Sequence, residues 1–361
     1  CSYGLLQQEA AAALLAEVNW RTIVLDEAQA IKNYDTKRSQ AAMALQGDFK
    51  IITTGTPIEN HLGELWNLFR FINPGLLGSL ESFNQRFAYP IERDQDESAR
   101  EALRRLIQPF ILRRTKDQVL KELPSRTEIT LQVPLSSEEM AFYEALRREA
   151  VEQLSDNEAP PGQKHLQVLA AIMRLRRACC NPQLVRPELG LPSTKLAQFG
   201  EVLAELLEND HKALVFSQFV DHLAILRDYL DSQKIAYQYL DGSTPAKQRK
   251  QRVDAFQRGE GEVFLISLKA GGTGLNLTAA DFVIHMDPWW NPAVEDQASD
   301  RAHRIGQQRP VTIYRLVAQG TIEDKIVALH KTKRDLADSL LTGADVSGKM
   351  STDELLSLMQ A

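Results

Sequence analysis

Two blocks of the sequence alternate between strand-like and helix-like segments, and this alternation restricts the fold more than any other feature. In the first block, an apolar strand pattern over 22–26 is followed by a helical pattern over 36–45 and a second strand over 49–55. The second block has strand patterns at 212–219, 235–242, 262–268, 281–287 and 310–320. Strands that alternate with helices are typical of parallel sheets, so the sequence predicts an α/β fold.

Between the two blocks, the apolar residues follow a helical period. We predict the carboxyl-terminal part of a first lobe over 1–60, a helical insert over 61–192, a second lobe over 193–320 and a helical tail over 321–361. A strand-like alternation near 126–134 interrupts the insert, and we expect this strand to return to the first lobe. Two or three domains agree with a length of 361 residues.

The composition is that of a globular protein and says little about its partners. Hydrophobic residues make up 43% of the chain, and no apolar run approaches the roughly 18 residues of a membrane span. The net charge of −6 does not indicate nucleic-acid binding. Basic clusters lie at 103–116, 173–178, 247–252 and 300–309; a solvated helix face explains any one of them better, but the four together make a nucleic-acid track more plausible. Three cysteines are too few for a disulfide framework, which favours an intracellular location: cytoplasm or nucleoid in a bacterium, nucleus in a eukaryote.

The segment RTIVLDEAQAIKN (21–33) places an acidic pair, Asp26 and Glu27, at the end of a predicted buried strand. A carboxylate at such a position can hold Mg²⁺ through water, and a neighbouring glutamate can polarise a water that attacks a phosphate. Acidic residues also cap strand-to-helix turns, so the pair by itself leaves both interpretations open. About 27 residues later, TTGTPIEN (53–60) ends the next strand, which fits one strand–helix–strand unit in one sheet.

Two later segments have residues that can contact phosphates. LKAGGTGLNLTAAD (268–281) has glycines that let the backbone approach a ligand closely, and Lys269 within it can meet a DNA phosphate. In QASDRAHRIGQ (297–307), Arg301 and Arg304 are three residues apart, so a helix would present both on one face. Two such guanidiniums can clamp the charge on a transferring phosphoryl group, but a solvated basic helix explains this segment better when it is taken alone. For MDPWWNP (286–292), anchoring in the core is at least as good an interpretation as stacking on bases.

Together, these segments resemble the Swi/Snf-like family of superfamily-two DNA-dependent ATPases. The resemblance runs from about residue 3 to 330, and it rests on LDEAQAIKN, TTGTPIEN, ILRRTK, LVFSQF, LDGST, SLKAGGTGLNLTAADFVIHMDPWWNP and DQASDRAHRIGQ. It implies two RecA-like lobes that bind ATP and Mg²⁺ in the cleft between them, with double-stranded DNA across both. Movement along the DNA would proceed without strand separation, with a DNA-bound protein complex as the remodelling target. The compact insert favours a bacterial member.

The resemblance also assigns roles to residues at the nucleotide. Asp26 would hold Mg²⁺ through water, and Glu27 would be the catalytic base. Arg301 and Arg304 would be arginine fingers. Further nucleotide-side residues are Gly272, Gly274 and Gln297.

Coupling and DNA binding are assigned in the same way. Gly55 and Thr56 would couple the nucleotide site to movement of the lobes. The residues implied on the DNA side are Ser217, Gln218, Lys269, Gly271 and Asn276. Gln29 replaces the family's commoner His and is expected to adjust coupling, while Lys269 replaces a commoner Arg and loses its bidentate fork.

A phosphate-binding loop of the form G-x-x-x-x-G-K-S/T does not occur in the 361 residues. The family has this loop ahead of its acidic motif, so we expect it before Cys1. Without the amides and lysine of that loop, a triphosphate loses its main cradle. We therefore expect that this chain alone neither binds ATP tightly nor hydrolyses it.

Two other functions remain open. The first is a non-catalytic DNA- or protein-binding module that has kept the fold, but such a module has no need of Asp26, Glu27, Arg301 and Arg304. The second is a strand-separating helicase or an RNA-polymerase-associated ATPase, which would share the same core. Strand-displacement and partner assays would separate these from a translocase.

Overall fold

The computed structural model describes residues 1–55, 61–114, 119–120, 122–155, 161–271 and 274–330. The chain forms two compact units, Cys1–Arg113 and Arg114–His330. Both contain a parallel sheet with helices, so the predicted α/β class is confirmed. Within the described residues, no helix is both long and apolar enough to cross a membrane.

The first unit has, within the described residues, a sheet of two parallel strands, β1 (Asn19–Leu25) and β2 (Gln46–Ile52). Helices α1 (Tyr3–Leu6) and α2 (Glu9–Ala16) precede the sheet, and α3 (Lys37–Ala44) joins its strands. The register pairs the last residues of β1 and β2 with each other, so both strands end at the same edge. This edge carries the acidic pair.

Helix α4 (Leu62–Ile72) belongs to two hydrophobic cores of the first unit. Leu68 and Phe71 pack with the sheet and α3. A neighbouring face of α4, which includes Leu65 and Phe69, packs with the helices that follow. These helices are α5 (Leu80–Phe83), α6 (Tyr89–Arg93) and α7 (Glu97–Ile107), and a π-helical turn (Asn84–Ala88) joins α5 to α6.

The second unit is built on a sheet with six parallel strands among the described residues. The strands are β3 (Arg126–Val133), β4 (Ala213–Ser217), β5 (Tyr237–Leu240), β6 (Val263–Ser267), β7 (Phe282–His285) and β8 (Val311–Ala318). Their spatial order is β3-β8-β7-β4-β6-β5. Strands β4 and β6 are buried along their whole length, as expected for apolar strands covered on both faces.

Helices cover both faces of this sheet. Leu214 and Phe216 of β4 face one hydrophobic core, while Ala213 and Val215 face the other. Helices α8 (Ser137–Ser155) and α9 (Pro161–Cys180) form a pair beside the sheet. The remaining helices are α10 (Thr194–Glu208), α11 (Val220–Ser232), α12 (Ala246–Gln257), α13 (Leu268–Gly271), α14 (Pro292–Ser299) and α15 (322–330). The rest of the predicted tail, 331–361, lies outside the described residues.

Strand β3 corrects one sequence prediction. The strand itself forms, but it does not return to the first lobe. It pairs with β8 in the second sheet, with Arg126 opposite Val311 and Val133 opposite Ala318. Alternation along a strand reports which face is buried and does not identify the partner strand, so the sequence could not decide this pairing.

A buried ion pair joins α10 to α15. Lys195 Nζ lies 2.6 Å from Glu323 Oε2, and neither side chain is exposed. Lys195 also donates to the carbonyl of Met286 at 3.1 Å. Burial lowers the pKa of Lys195, but the surrounding negative groups, chiefly Glu323, more than offset this effect and leave the pKa above its usual value. Lys195 is therefore charged, and the carboxylate of Glu323 balances its buried charge.

Replacing Lys195 by methionine is expected to lower the free energy of unfolding by about 3 kcal/mol, because Glu323 would remain buried without its counter-ion. Urea unfolding of the purified chain measures the change. Lys250→Met is the matched control, since Lys250 is exposed on α12. The double variant Lys195→Met with Glu323→Leu should regain part of the loss. Equal unfolding free energies for Lys195→Met and the unmodified chain would contradict a stabilising pair.

Candidate nucleotide and DNA site

The acidic pair and residues 53–55, which we call the TTG segment, meet at the carboxyl edge of the first sheet. The amide of Thr53 donates to the carbonyl of Leu25 at 2.9 Å, and the amide of Ala28 donates to the carbonyl of Thr53 at 3.0 Å. These bonds continue the strand pairing beyond both strands. The two segments that the sequence placed in one sheet are therefore in direct contact, as their spacing predicts.

Asp26 is oriented from both sides of this edge. Its Oδ1 accepts from the Thr53 hydroxyl at 2.7 Å and from the amide of Glu27 at 3.0 Å. The Tyr3 hydroxyl donates to the Asp26 carbonyl at 2.8 Å. Burial and the charges of the two carboxylates raise the pKa of Tyr3 to about 12, so its hydroxyl stays a donor. Asp26 itself is exposed, and an exposed, oriented carboxylate suits a hydrated Mg²⁺.

Glu27 has a left-handed backbone conformation, with a φ of 50°. Residues other than glycine rarely adopt this region, and such strain concentrates at functional sites. The Glu27 carboxylate accepts from Gln29 Nε2 at 2.6 Å, and Gln29 Oε1 accepts from the Thr54 hydroxyl at 2.7 Å. Gln29 thus bridges the acidic pair to the TTG segment, which gives a physical basis for its expected part in coupling. Gly55 follows Thr54, and Thr56 lies outside the described residues.

The arginine motif differs from its prediction. Helix α14 ends at Ser299, so Arg301 and Arg304 lie in turns and not on one face of a helix. Arg301 is 7% exposed, whereas Arg304 is exposed. The backbone turns tightly after α14, because the amides of Ala302 and His303 both donate to the Ser299 carbonyl, at 3.1 and 3.2 Å. We call residues 300–306 the arginine turn.

The arginine turn is bonded to the end of the glycine-rich segment. The amide of Leu277 donates to the Arg301 carbonyl at 3.0 Å, and Arg304 Nη1 donates to the Leu275 carbonyl at 3.2 Å. Gly274 has a φ of 55°, which favours glycine at this turn. We call residues 274–277 the glycine loop.

The other predicted residues of this region have different environments. Lys269 and Asn276 are exposed, and Gln297 is half-buried on α14. Gly271 ends α13, and Gly272 lies outside the described residues.

Ser217 and Gln218, which the resemblance places on the DNA side, both make internal contacts. Ser217 is 1% exposed, and its hydroxyl donates to Asp287 Oδ2. The amide of Gln218 donates to Asp287 Oδ1 at 3.2 Å, and its side-chain Oε1 accepts from Arg176 Nη1 at 3.0 Å. These residues hold the ends of β4 and β7 together. Direct contact with DNA would require Ser217 to leave its partner.

Sequence reasoning missed Arg176, which organises this region. The Arg176 side chain is fully buried, and its Nη2 donates to the Pro288 carbonyl. Its guanidinium lies 5.5 Å from the ring centres of both Trp289 and Trp290. The two tryptophans are therefore part of an anchored turn. The only signal in the sequence was one basic cluster in a helical pattern, which more often marks a solvated face.

Cys180, His222 and Asp287 lie together in the same buried region, with ligand atoms within 4.8 Å of one another. His222 Nδ1 lies 4.0 Å from Asp287 Oδ2, which is farther apart than two tetrahedral zinc ligands with bonds of about 2.0–2.3 Å. Burial lowers the pKa of His222 to about 3 and raises that of Asp287, despite the positive charge of Arg176. We interpret the cluster as a hydrogen-bonded core and not as a metal centre.

Comparison with known proteins gives matches over nearly the whole chain. The family described as SNF2-related domain matches residues 2–184, and the family described as helicase conserved C-terminal domain matches residues 195–306. YwqA of Bacillus subtilis (strain 168), a candidate ATP-dependent helicase/translocase, is 41% identical over 98% of this chain and 39% of its own length. The ISWI chromatin-remodeling complex ATPase CHR11 of Arabidopsis thaliana is 35% identical over 96% of this chain and 34% of its own length. The chain thus spans about a third to two fifths of these relatives.

A solved structure of similar sequence is that of the Sulfolobus solfataricus SWI2/SNF2 ATPase core in complex with dsDNA. It is 34% identical, with a TM-score of 0.53, and the match covers 99% of this chain and 74% of that one. The similarity therefore includes both units described above.

Proposed function

This chain belongs to the SNF2 family of helicase-type ATPases, and we propose that it is the carboxyl-terminal part of an ATP-dependent translocase or remodeller that acts on double-stranded DNA. The observation that carries the proposal is the oriented acidic pair. Asp26 is held by Thr53, and the strained Glu27 is held by Gln29, at one exposed sheet edge. This arrangement suits phosphoryl transfer, which needs a metal ion and a positioned water.

The proposed chemistry divides between residues of the two units. Asp26 would hold Mg²⁺ through water, and Glu27 would polarise the water that attacks the terminal phosphate of ATP. Arg304 would stabilise the negative charge that grows on the transferring group, because its side chain is exposed beside the glycine loop. Arg301, the second arginine of the motif, is nearly buried, and its carbonyl holds the glycine loop.

Double-stranded DNA is the proposed nucleic-acid partner, and the related Sulfolobus solfataricus core was solved with dsDNA. Lys269 and Asn276 are the exposed residues that we assign to DNA contacts. Ser217 and Gln218 would act indirectly, by holding the ends of β4 and β7. A DNA-bound protein complex is the proposed remodelling target, because the name of the Arabidopsis relative describes an ATPase of chromatin remodeling.

The alternative of a non-catalytic binding module explains less of the structure. Binding alone gives no reason for a strained glutamate at an exposed edge, because a glycine would remove the strain. A strand-separating or RNA-polymerase-associated ATPase would use the same residues. Displacement of one strand from a duplex in the presence of ATP would favour a strand-separating helicase over a translocase.

The 361-residue chain alone is expected to release no phosphate from ATP, with or without duplex DNA, because it has no G-x-x-x-x-G-K-S/T loop. A complete protein that supplies this loop is expected to hydrolyse ATP faster when duplex DNA is added. Phosphate release from both proteins measures the difference. DNA-stimulated release by the chain alone would contradict the first expectation. A complete protein that does not respond to DNA would contradict the proposed function.

We also propose an intracellular location, in the cytoplasm or nucleoid if the protein is bacterial. Cys179 and Cys180 are buried free thiols, and burial raises the pKa of both. Adjacent unpaired thiols are typical of a reducing compartment. The similarity to a Bacillus subtilis protein supports a bacterial member.

A further inference from the structure

Arg126, the first residue of β3, contacts the helix that leads into the arginine turn. Its guanidinium lies 2.8 Å from Asp296 Oδ1 and 3.3 Å from Asp300 Oδ1. Asp296 lies on α14, and Asp300 is the first residue of the arginine turn, directly before Arg301. Arg126 also pairs with Glu128 on its own strand, at 2.6 Å. A planar guanidinium can hold several oxygens in a fixed geometry, which an ammonium group cannot do.

Two backbone contacts strengthen the same connection. His303 lies between the two arginines, is 4% exposed, and donates from Nε2 to the Pro124 carbonyl at 2.8 Å. Beyond the turn, at the start of β8, the amide of Val311 donates to the Ser125 carbonyl at 2.9 Å. The segment 124–126 therefore contacts the chain before, within and after the arginine turn.

The ion pairs lie in a partly shielded environment. The side chains of Arg126, Asp296 and Asp300 are 22%, 33% and 32% exposed. Burial lowers the pKa of Arg126, but Asp296, Glu128 and Asp300 together outweigh it and raise the pKa above its usual value. A cluster of this kind is screened by salt less than fully exposed pairs are.

We propose that Arg126 is a positioning residue for the arginine turn. It holds Asp296 and Asp300, and thereby sets the position of Arg304 relative to β3. A shift in the path of segment 124–126 is then transmitted to the arginine turn. The inference deepens the proposed function and rests on it for its catalytic consequence. The contact itself is a property of the second unit alone.

Hydrogen exchange of the purified chain tests the contact without any activity. In Arg126→Met, which keeps an unbranched side chain and removes the charge, the amides of Leu277, Ala302 and His303 are expected to exchange about tenfold faster. The amides of β4 and β6 should exchange at an unchanged rate, because both strands are buried and neither pairs with β3. Arg258→Met is the control, since Arg258 forms an exposed pair with Glu260 in the same unit. Unchanged exchange in the arginine turn would overturn the proposal.

Asp296→Asn and Asp300→Asn test the same contact from the other side and do not depend on how well Arg126→Met folds. Each should speed exchange of the His303 amide, and the two together should approach the effect of Arg126→Met. Arg126→Lys should lie between, because lysine keeps the charge and loses the fork. If the His303 amide exchanges as fast in Arg126→Lys as in Arg126→Met, the positive charge of residue 126 has no role in the contact.

The complete protein tests the catalytic consequence. Arg126→Met is expected to lower kcat roughly tenfold, because a small misplacement of a catalytic group slows the chemical step. The KM values for ATP and for duplex DNA should stay close to those of the unmodified protein, and Arg126→Lys should restore part of kcat. An unchanged kcat beside faster exchange would overturn positioning. If the unmodified protein lacks DNA-stimulated turnover, the proposed function fails, whereas the exchange result still decides the contact.

Discussion

Replacing Glu27 by glutamine is expected to reduce DNA-stimulated ATP turnover by the complete protein about 10³-fold. Glutamine has nearly the shape of glutamate, but it has no charge with which to polarise the attacking water. The local structure should be kept, because residue 27 is exposed and the new amide oxygen can still accept from Gln29 Nε2. Phosphate release at saturating ATP and duplex DNA measures the loss.

A matched control and a binding measurement make this test specific. Glu17→Gln removes the same charge at an exposed position after α2 and should leave turnover unchanged. Binding of ATP in the presence of Mg²⁺ should be retained in Glu27→Gln, because Asp26 is intact. If turnover falls by less than a few-fold, Glu27 is not the catalytic base. A loss of ATP binding would instead place Glu27 in nucleotide binding.

Replacing Arg304 by alanine is expected to reduce turnover by about 10³-fold or more, as for other arginine fingers at phosphoryl-transfer sites. Arg304 is exposed, and the hydrogen bond from its Nη1 to the Leu275 carbonyl measures 3.2 Å. Losing that bond should cost only about 1 kcal/mol of stability. Kinetics and urea unfolding of the same variant therefore separate its catalytic from its structural contribution.

Two further variants complete the Arg304 test. Arg304→Lys should keep part of the turnover, because the positive charge remains while the bidentate geometry is lost. Arg258→Ala removes an exposed arginine elsewhere in the second unit and should have no effect. Turnover in Arg304→Ala within a few-fold of the unmodified protein would remove the arginine-finger role. A large loss of stability in Arg304→Ala would show that the side chain acts mainly in the fold.

The strained glutamate and its amide partner connect the catalytic proposal to coupling between segments. The carboxylate of Glu27 is linked through Gln29 to Thr54, which directly precedes Gly55 of the segment assigned to coupling. A displacement of the TTG segment would therefore act on the proposed catalytic base through two hydrogen bonds. This is a local route that requires no change in the strands themselves.

The sequence by itself determined the features that depend on neighbouring residues. Apolar runs and helical periods located the strands and most helices, since burial of one face imposes a period on the chain. The pattern Ser136-x-x-Glu139 is typical of a capping box, and the structure has one: the amide of Ser136 donates to the Glu139 carboxylate at 3.1 Å, and the amide of Glu139 donates to the Ser136 hydroxyl at 3.2 Å. The acidic pair was placed at a strand end for the same reason.

Only the tertiary structure decided which distant segments meet. Arg126 and Asp296 are 170 residues apart in the chain, and Arg176 and Gln218 are 42 apart. In neither pair does the neighbouring sequence distinguish these side chains from polar side chains that are exposed to solvent. The burial of Ser217 and Arg301 and the pairing of β3 with β8 likewise depend on packing between elements. Local sequence specifies backbone conformation and the apolar face, whereas the partner of a polar side chain is set by the way the elements pack.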